Sequence, residues 1–171
     1  MNYFSLFAID EHYILNLPIL EQRYRTLQRE KTPNQFLASN ESEHLTHLQT
    51  KEQVKDGFHV LKDDIQRGLH LLEVRGIPLP SEQEAIDDAE FLTEQMDLRE
   101  ALASAQSIAD IIALDRTIKD KISDYIDNIS MLLSNNESKK NYLAGIELNK
   151  LKFIKKLESE IQTRKTAIEK S

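Results

Sequence analysis

The segment LEQRYRTLQREKTPNQF, residues 20–36, decides the N-terminal fold of this chain. Three apolar residues recur in it at helical spacing and predict one packed face: Leu20, Tyr24 and Leu27. Four cations occupy other positions of the same helix: Arg23, Arg25, Arg29 and Lys31. Pro33 ends the helix, because proline disfavours helical geometry in the residue before it. The segment therefore predicts an amphipathic helix with one side for packing and one side for an acidic partner.

The composition predicts an all-α protein. The chain has 171 residues, of which only four are glycine and four are proline. Strand-like alternation of apolar and polar residues is absent, whereas heptad-like apolar spacing recurs. A chain of this length holds one medium domain or two small ones.

Several classes of protein conflict with the composition. The chain has no cysteine, which excludes disulfides, thiolate zinc sites and cysteine ligation of an iron–sulfur cluster. No segment is long and apolar enough for a membrane span, and no secretion signal is evident, so we expect a cytoplasmic protein. The net charge of −7 repels phosphate backbones and argues against nucleic-acid binding.

Charge is unevenly distributed along the sequence. Residues 81–100 hold eight acids against one base, Arg99. Residues 23–31 hold four bases against one acid, Glu30. The chain therefore carries two patches of opposite sign.

Helix signals divide the chain into two domains, 1–75 and 76–171. We predict a short helix over 3–8, a second from Pro18, a third over 42–61 and a linker helix over 63–75. Gly76 supplies a left-handed cap for the linker helix, and Pro78 and Pro80 prevent its continuation.

The third helix should pack against the second through one apolar face. That face contains Leu45, Leu48, Val54, Phe58 and Leu61. Gly57 lies within the helix and should weaken it by about 1 kcal/mol relative to alanine.

The second domain should be a three-helix bundle. Ser81 and Glu84 have the spacing of a capping box at its start. The first long helix is predicted over 87–105, and the second carries a seam of Ile108, Ile111, Ile118, Ile122, Tyr125, Ile129 and Leu132, interrupted by Asp115. Asn135 and Asn136 end that helix. The last helix starts near Ser138 and closes the bundle through Leu143, Ile146, Ile154, Leu157 and Ile161.

The helix predicted over 87–105 carries more apolar surface than one seam requires. One stripe contains Phe91, Leu98, Leu102 and Ala105, and a second contains Leu92, Met96 and Ala103. If only the first stripe is buried, the second is an exposed apolar patch bordered by Asp97 and Glu100, as in protein-binding sites. Phe153, at the edge of the stripe on the last helix, could reach that patch. The alternative is that these residues belong to the core.

Catalytic and metal-binding patterns are weak in this sequence. His44 and His47 share a helix face, but no third ligand accompanies them, which is more typical of a solvated surface. No glycine-rich phosphate loop or nucleophile motif occurs. We therefore expect no enzymatic activity and no cofactor.

Four segments resemble one known family over nearly the whole chain and in the same order. They are residues 2–7 (NYFSLF), 24–28 (YRTLQ), 66–72 (QRGLHLL) and 91–100 (FLTEQMDLRE). They resemble HscB, the J-type co-chaperone of bacterial iron–sulfur cluster assembly. The resemblance implies a J-domain helical hairpin within residues 1–75 and a scaffold-binding three-helix bundle within 76–171.

The resemblance also implies two partners. An HscA-type, DnaK-like ATPase chaperone would bind Arg23, Arg25, Arg29 and the turn Thr32-Pro33-Asn34, and would be stimulated to hydrolyse ATP. The scaffold protein IscU would bind Leu92, Met96, Asp97, Glu100 and Phe153. In the family the turn reads His-Pro-Asp, so Thr32 and Asn34 depart from it, and Thr93 replaces a usual apolar residue. The alternative is an adaptor whose J-domain does not stimulate the chaperone.

Overall fold

The computed structural model describes residues 1–30 and 41–171, apart from the side chains at 44 and 47. In these ranges the chain forms eight helices and no strand, which confirms the all-α prediction. The helices are α1 (Tyr3–Leu6), α2 (Leu17–Glu30), α3 (Glu41–Lys62), α4 (Asp64–Val74), α5 (Glu82–Ile86), α6 (Ala89–Ser104), α7 (Ile108–Leu133) and α8 (Ser138–Glu169). They form two compact units, Met1–Val74 and Arg75–Ser171.

The core of the first unit lies among α1, α2, α3 and α4. Its fully buried side chains include Phe4, Phe7, Leu20, Leu61 and Leu71. Tyr24 of α2 stacks on Phe58 of α3, with ring centroids 4.1 Å apart and planes inclined by 10°. The apolar face that the sequence predicts for α2 therefore packs on α3.

Leu45 and Leu48 do not pack as predicted, because they are 56% and 47% exposed. The helix rise of about 1.5 Å per residue explains the difference. Leu48 lies roughly 15 Å along α3 from Phe58, whereas α2 ends roughly 9 Å beyond Tyr24, the stacking partner of Phe58. The first turns of α3 therefore extend past the described end of α2.

Two polar side chains of α4 tie the first unit together. Buried Arg67 donates from Nε to the carbonyl of Tyr13 at 2.5 Å and from Nη1 to the carbonyl of Leu61 at 2.9 Å. His70 accepts the backbone N–H of Tyr3 at Nε2, at 3.0 Å. These bonds satisfy backbone groups that would otherwise be buried without a partner.

Two residues with positive φ end helices in this chain. Gly76 has φ +69°, which confirms the left-handed cap predicted after α4. Ala8 has φ +50°, and the N–H groups of Ala8 and Ile9 donate to the carbonyls of Ser5 and Phe4. This pattern is a Schellman cap, so α1 ends at Leu6 and does not continue to Ala8 as predicted.

The long helices α7 and α8 build the core of the second unit. Fully buried residues on the two helices include Ile111, Ile118, Ile129, Leu148, Leu151 and Ile154. Asp115, which interrupts the seam, accepts bonds from Lys119 Nζ and Gln162 Nε2, each at 2.7 Å. Two predicted core positions were wrong, because Ile108 at the start of the α7 seam is 37% exposed and Leu143 near the start of α8 is 42% exposed. Leu143 lies beside the buried stripe of α8, which runs through Asn141, Ala144 and Leu148, whereas Ile108 is the first residue of α7.

The predicted helix over 87–105 begins later, at Ala89, after the separate short helix α5. Asp88 causes the break: it is extended, with ψ 106°, and its carboxylate accepts the N–H of Phe91 at 3.1 Å. An aspartate in this position caps the free N–H groups of a helix start. At the start of α5, Glu84 accepts the N–H of Ser81 at 3.3 Å, as the capping-box spacing predicts.

Gly57 is a point of close contact and not only a weak point of α3. A Cβ atom built on Gly57 would lie 2.6 Å from Cδ1 of Tyr3 and 3.1 Å from Cε2 of Phe7. The missing side chain therefore lets α1 pack directly on the backbone of α3.

We predict that Gly57→Ala destabilises the protein by about 1–2 kcal/mol, although alanine is the better helix former. The overpacked contact with Tyr3 outweighs the gain of about 1 kcal/mol in helix propensity. Chemical denaturation measures the free energy of unfolding. Lys55→Ala, at an exposed position of α3, is the control and should change stability by less than about 0.5 kcal/mol. A Gly57→Ala protein more stable than the natural one would contradict this packing.

Candidate functional site

Helix α6 buries one of its two apolar stripes and exposes the other. Phe91 and Leu98 are 4% and 7% exposed, whereas Leu92 and Met96 are 44% and 64% exposed. Leu92 and Met96 lie one turn apart and therefore share a face of the helix. The second stripe is thus on the surface and not in the core.

Two ion pairs show which side of α6 the exposed stripe occupies. Lys150 of α8 binds Asp88 at 2.7 Å, and Arg99 of α6 binds Glu160 of α8 at 2.9 Å. Leu92 is one turn after Asp88, and Met96 is one turn before Arg99. The exposed stripe therefore lies on the side of α6 that faces α8.

Phe153 lies on α8 beside the same side of α6. Its ring meets the ring of Phe91 edge-on, with centroids 6.1 Å apart and planes inclined by 62°. Phe153 is half-buried, and Phe91 is the residue next to Leu92. We call Leu92, Met96 and Phe153 the α6–α8 patch.

The two acids predicted at the border of the patch occupy different places. Glu100 is exposed and follows Met96 by one turn. Asp97 lines a shallow groove on the α7 side of α6 with Thr93, Glu94 and Lys121. Lys121 binds Glu94 there at 2.7 Å. The structure therefore brings Glu100 near the patch and turns Asp97 toward α7.

Lys150 supports the patch, although sequence reasoning did not single it out. Its ammonium lies 2.7 Å from Asp88, 3.3 Å from Glu147 and 5.6 Å from the centre of the Phe91 ring. The Lys150 ammonium and the N–H of Phe91 hold the pKa of Asp88 below its usual value. Helix α8 carries many lysines, and only the three-dimensional position of Asp88 distinguishes this one.

The outward side of α2 carries the three arginines predicted for chaperone binding. Arg23, Arg25 and Arg29 are exposed, whereas Leu20 is buried. Arg25 lies 3.9 Å from Glu21, a solvated pair that leaves the arginine accessible. Arg25 and Arg29 are one turn apart on the side opposite Leu20, and Arg23 lies on the flank.

The turn Thr32-Pro33-Asn34 and Lys31 lie outside the described residues, as do the side chains of His44 and His47. Within the described residues, no group of three or more histidines, cysteines or acids could hold a metal ion. In the same ranges, no helix has the length and hydropathy that crossing a membrane requires.

Comparisons with known proteins identify the family. Residues 87–162 match the family model of the HSCB C-terminal oligomerisation domain. The chain is 36% identical over 165 residues to the co-chaperone protein HscB homolog of Shewanella baltica, covering 94% of this chain and 95% of the relative.

Solved structures agree with the sequence match. Chaperone HscB from Vibrio cholerae superposes with a TM-score of 0.84 at 30% identity, covering 98% of this chain and 99% of that chain. The human co-chaperone protein HscB superposes with a TM-score of 0.87 at 28% identity, covering 96% and 82%. The match in sequence and in structure spans nearly the whole chain, and the chain belongs to the HscB family of J-type co-chaperones of iron–sulfur cluster assembly.

Proposed function

We propose that this protein binds the iron–sulfur scaffold IscU, delivers it to an HscA-type ATPase chaperone and stimulates ATP hydrolysis by that chaperone, in the cytoplasm. The observation that carries the proposal is the α6–α8 patch, an apolar surface of Leu92, Met96 and Phe153 with Glu100 at its edge. Family membership supports the role of co-chaperone.

The patch suits a protein partner whose contact surface is apolar and is bordered by basic residues. Burying a large apolar side chain contributes about 1.5–3 kcal/mol, and Met96 is 64% exposed in the free protein. Glu100 and Asp97 add carboxylates on two sides of α6, which favour a scaffold surface bearing lysine or arginine. A few central side chains of this kind usually supply most of the affinity of an interface.

The arginines of α2 suit an acidic surface of the chaperone. Arg25 and Arg29 project into solvent from the same side of the helix. Guanidinium groups form bidentate bonds with carboxylates, and their attraction accelerates association at low salt. Chaperone binding should therefore weaken as salt is raised.

Delivery follows from binding two partners at once. A scaffold held by the second unit is kept at a high local concentration beside a chaperone held by the first unit. The protein itself makes and breaks no covalent bond in this role. ATP hydrolysis takes place on the chaperone, and the protein raises its rate.

A second candidate is a scaffold-binding adaptor that does not stimulate the chaperone. Its motivation is the turn, where Thr32 has no imidazole and Asn34 has no negative charge. A charge-assisted hydrogen bond is roughly twice as strong as a neutral one, so Asn34 should bind an arginine of the chaperone more weakly than aspartate would.

We predict that Met96→Lys weakens binding of IscU by at least about tenfold while the melting temperature stays within about 2 °C. The charge disrupts an apolar contact with the partner but remains solvated in the free protein. Titration calorimetry with IscU measures the affinity, and thermal unfolding measures stability.

Met131→Lys is the matched control, because Met131 is 71% exposed on α7 outside the patch. It should bind IscU as the natural protein does. Equal affinities for the natural protein, Met96→Lys and Met131→Lys would contradict the proposed scaffold surface. A large fall in melting temperature for Met96→Lys would contradict its exposure.

We predict that the natural protein stimulates ATP turnover by the chaperone and that the double variant Thr32→His, Asn34→Asp raises this stimulation several-fold. Binding of IscU should not change. Asn135→Asp is the control, because it makes the same charge change as Asn34→Asp but in the second unit. It should leave stimulation unchanged. Stimulation by the double variant alone would favour the adaptor, whereas stimulation by neither protein would contradict a working J-domain.

A further inference from the structure

A groove lies between the α1–α2 loop and the first turns of α2. Half-buried Ile9 and Leu15 line it, together with the more exposed Ile14 and Ile19. Its volume is about 290 Å³. This is slightly below the range of pockets that hold small molecules or cofactors, and it suits one or two amino-acid side chains.

Two side chains of this groove, Ile14 and Ile19, lie outside the core of the first unit. The core residues nearby in the sequence are at most 2% exposed: Phe7, Tyr13 and Leu20. Ile14 and Ile19 are 60% and 42% exposed. Two aliphatic side chains that line one hollow and remain in water form a surface that a partner can cover.

Charged groups at the groove are also available to a partner. Arg23 lines the groove one turn after Ile19 and forms no ion pair with any described residue. Asp10 and His12 also line the groove, and Asp10 likewise has no cationic partner among the described side chains. A ligand with an aliphatic side chain beside a carboxylate would match Ile19 and Arg23, and a backbone N–H or a base of the same ligand would match Asp10.

The groove continues the basic surface of α2. Arg23 belongs both to the groove and to the set of arginines assigned to the chaperone, with Arg25 and Arg29 further along the helix. A chaperone that binds those arginines would therefore reach the groove without a separate interface.

We propose that the groove is a second docking site for the ATPase chaperone and takes a short extended segment in which an aliphatic residue is next to an acidic one. This inference rests on the proposed chaperone binding. The aliphatic side chain enters between Ile14 and Ile19, and the acidic side chain binds the guanidinium of Arg23. Loss of one such buried aliphatic contact corresponds to about a tenfold change in Kd.

The test compares Ile19→Ser with Leu17→Ser in the full-length protein. Leu17 is 41% exposed on the same helix, close to the 42% of Ile19, but it does not line the groove. Binding to the purified HscA-type chaperone with ATP is measured by biolayer interferometry, and folding is checked by circular dichroism. We expect a loss of about tenfold in affinity for Ile19→Ser and less than about twofold for Leu17→Ser.

Ile14→Ser and Arg23→Gln provide independent tests in the same assay. Ile14 is in a loop and mostly exposed, so its replacement should not affect folding, and it should weaken binding as Ile19→Ser does. Binding of IscU should be unchanged in all variants. Equal binding by Ile19→Ser and Leu17→Ser would overturn the groove proposal.

Two further outcomes separate the groove from the proposed function. If Arg25→Gln weakens chaperone binding but Ile14→Ser and Ile19→Ser do not, the chaperone docks on α2 and the groove proposal is wrong. If the natural protein does not bind the chaperone at all, both the groove proposal and the proposed function are wrong. Concentration-dependent dimers that Ile19→Ser abolishes would assign the groove to a second copy of the chain and overturn the proposal.

Discussion

The ammonium of Lys150 fixes the start of α6 against α8, and the position of the α6–α8 patch depends on this contact. Lys150 binds Asp88, whose carboxylate also caps α6 by accepting the N–H of Phe91. Its ammonium lies over the Phe91 ring, which in turn contacts Phe153. Once this end of α6 is held, the helical repeat determines that Leu92 and Met96 face outward. One cation thus links the capping, the packing and the exposed patch.

The two units present surfaces of different chemistry, and the proposed function uses this difference to bind two partners with one chain. The α2 side of the first unit is cationic because Arg25 and Arg29 lie opposite the buried Leu20. The patch of the second unit is apolar and has Glu100 beside it. Under the proposed function, a partner that suits one surface is poorly matched to the other, so chaperone and scaffold are directed to different units.

Local sequence signals predicted the features that depend on neighbours within one helix. The cap at Gly76, the pairing of Ser81 with Glu84 and the exposed stripe of Leu92 and Met96 are of this kind. The helical repeat identifies the residues that share a face from the sequence of one helix alone. The assignment of that face to a scaffold protein came from the family resemblance.

Some features that depend on a second helix could not be read from the sequence. Leu48 has the correct spacing for a core, but it is exposed beyond the described end of α2. Leu143 is exposed because the stripe of α8 that packs runs through Asn141, Ala144 and Leu148. From the sequence, Gly57 is expected only to weaken α3. The position of Tyr3 shows why a side chain cannot fit there. The role of Lys150 likewise requires the distance to Asp88 on another helix.

The most direct test measures how much IscU associates with the chaperone as the concentration of this protein is raised. The HscA-type chaperone is immobilised with ATP, labelled IscU is added at a fixed concentration, and the protein is titrated. We predict that retained IscU rises and then falls, because excess protein occupies scaffold and chaperone separately. Retention of IscU that is the same with and without the protein would contradict a role in joining the two partners.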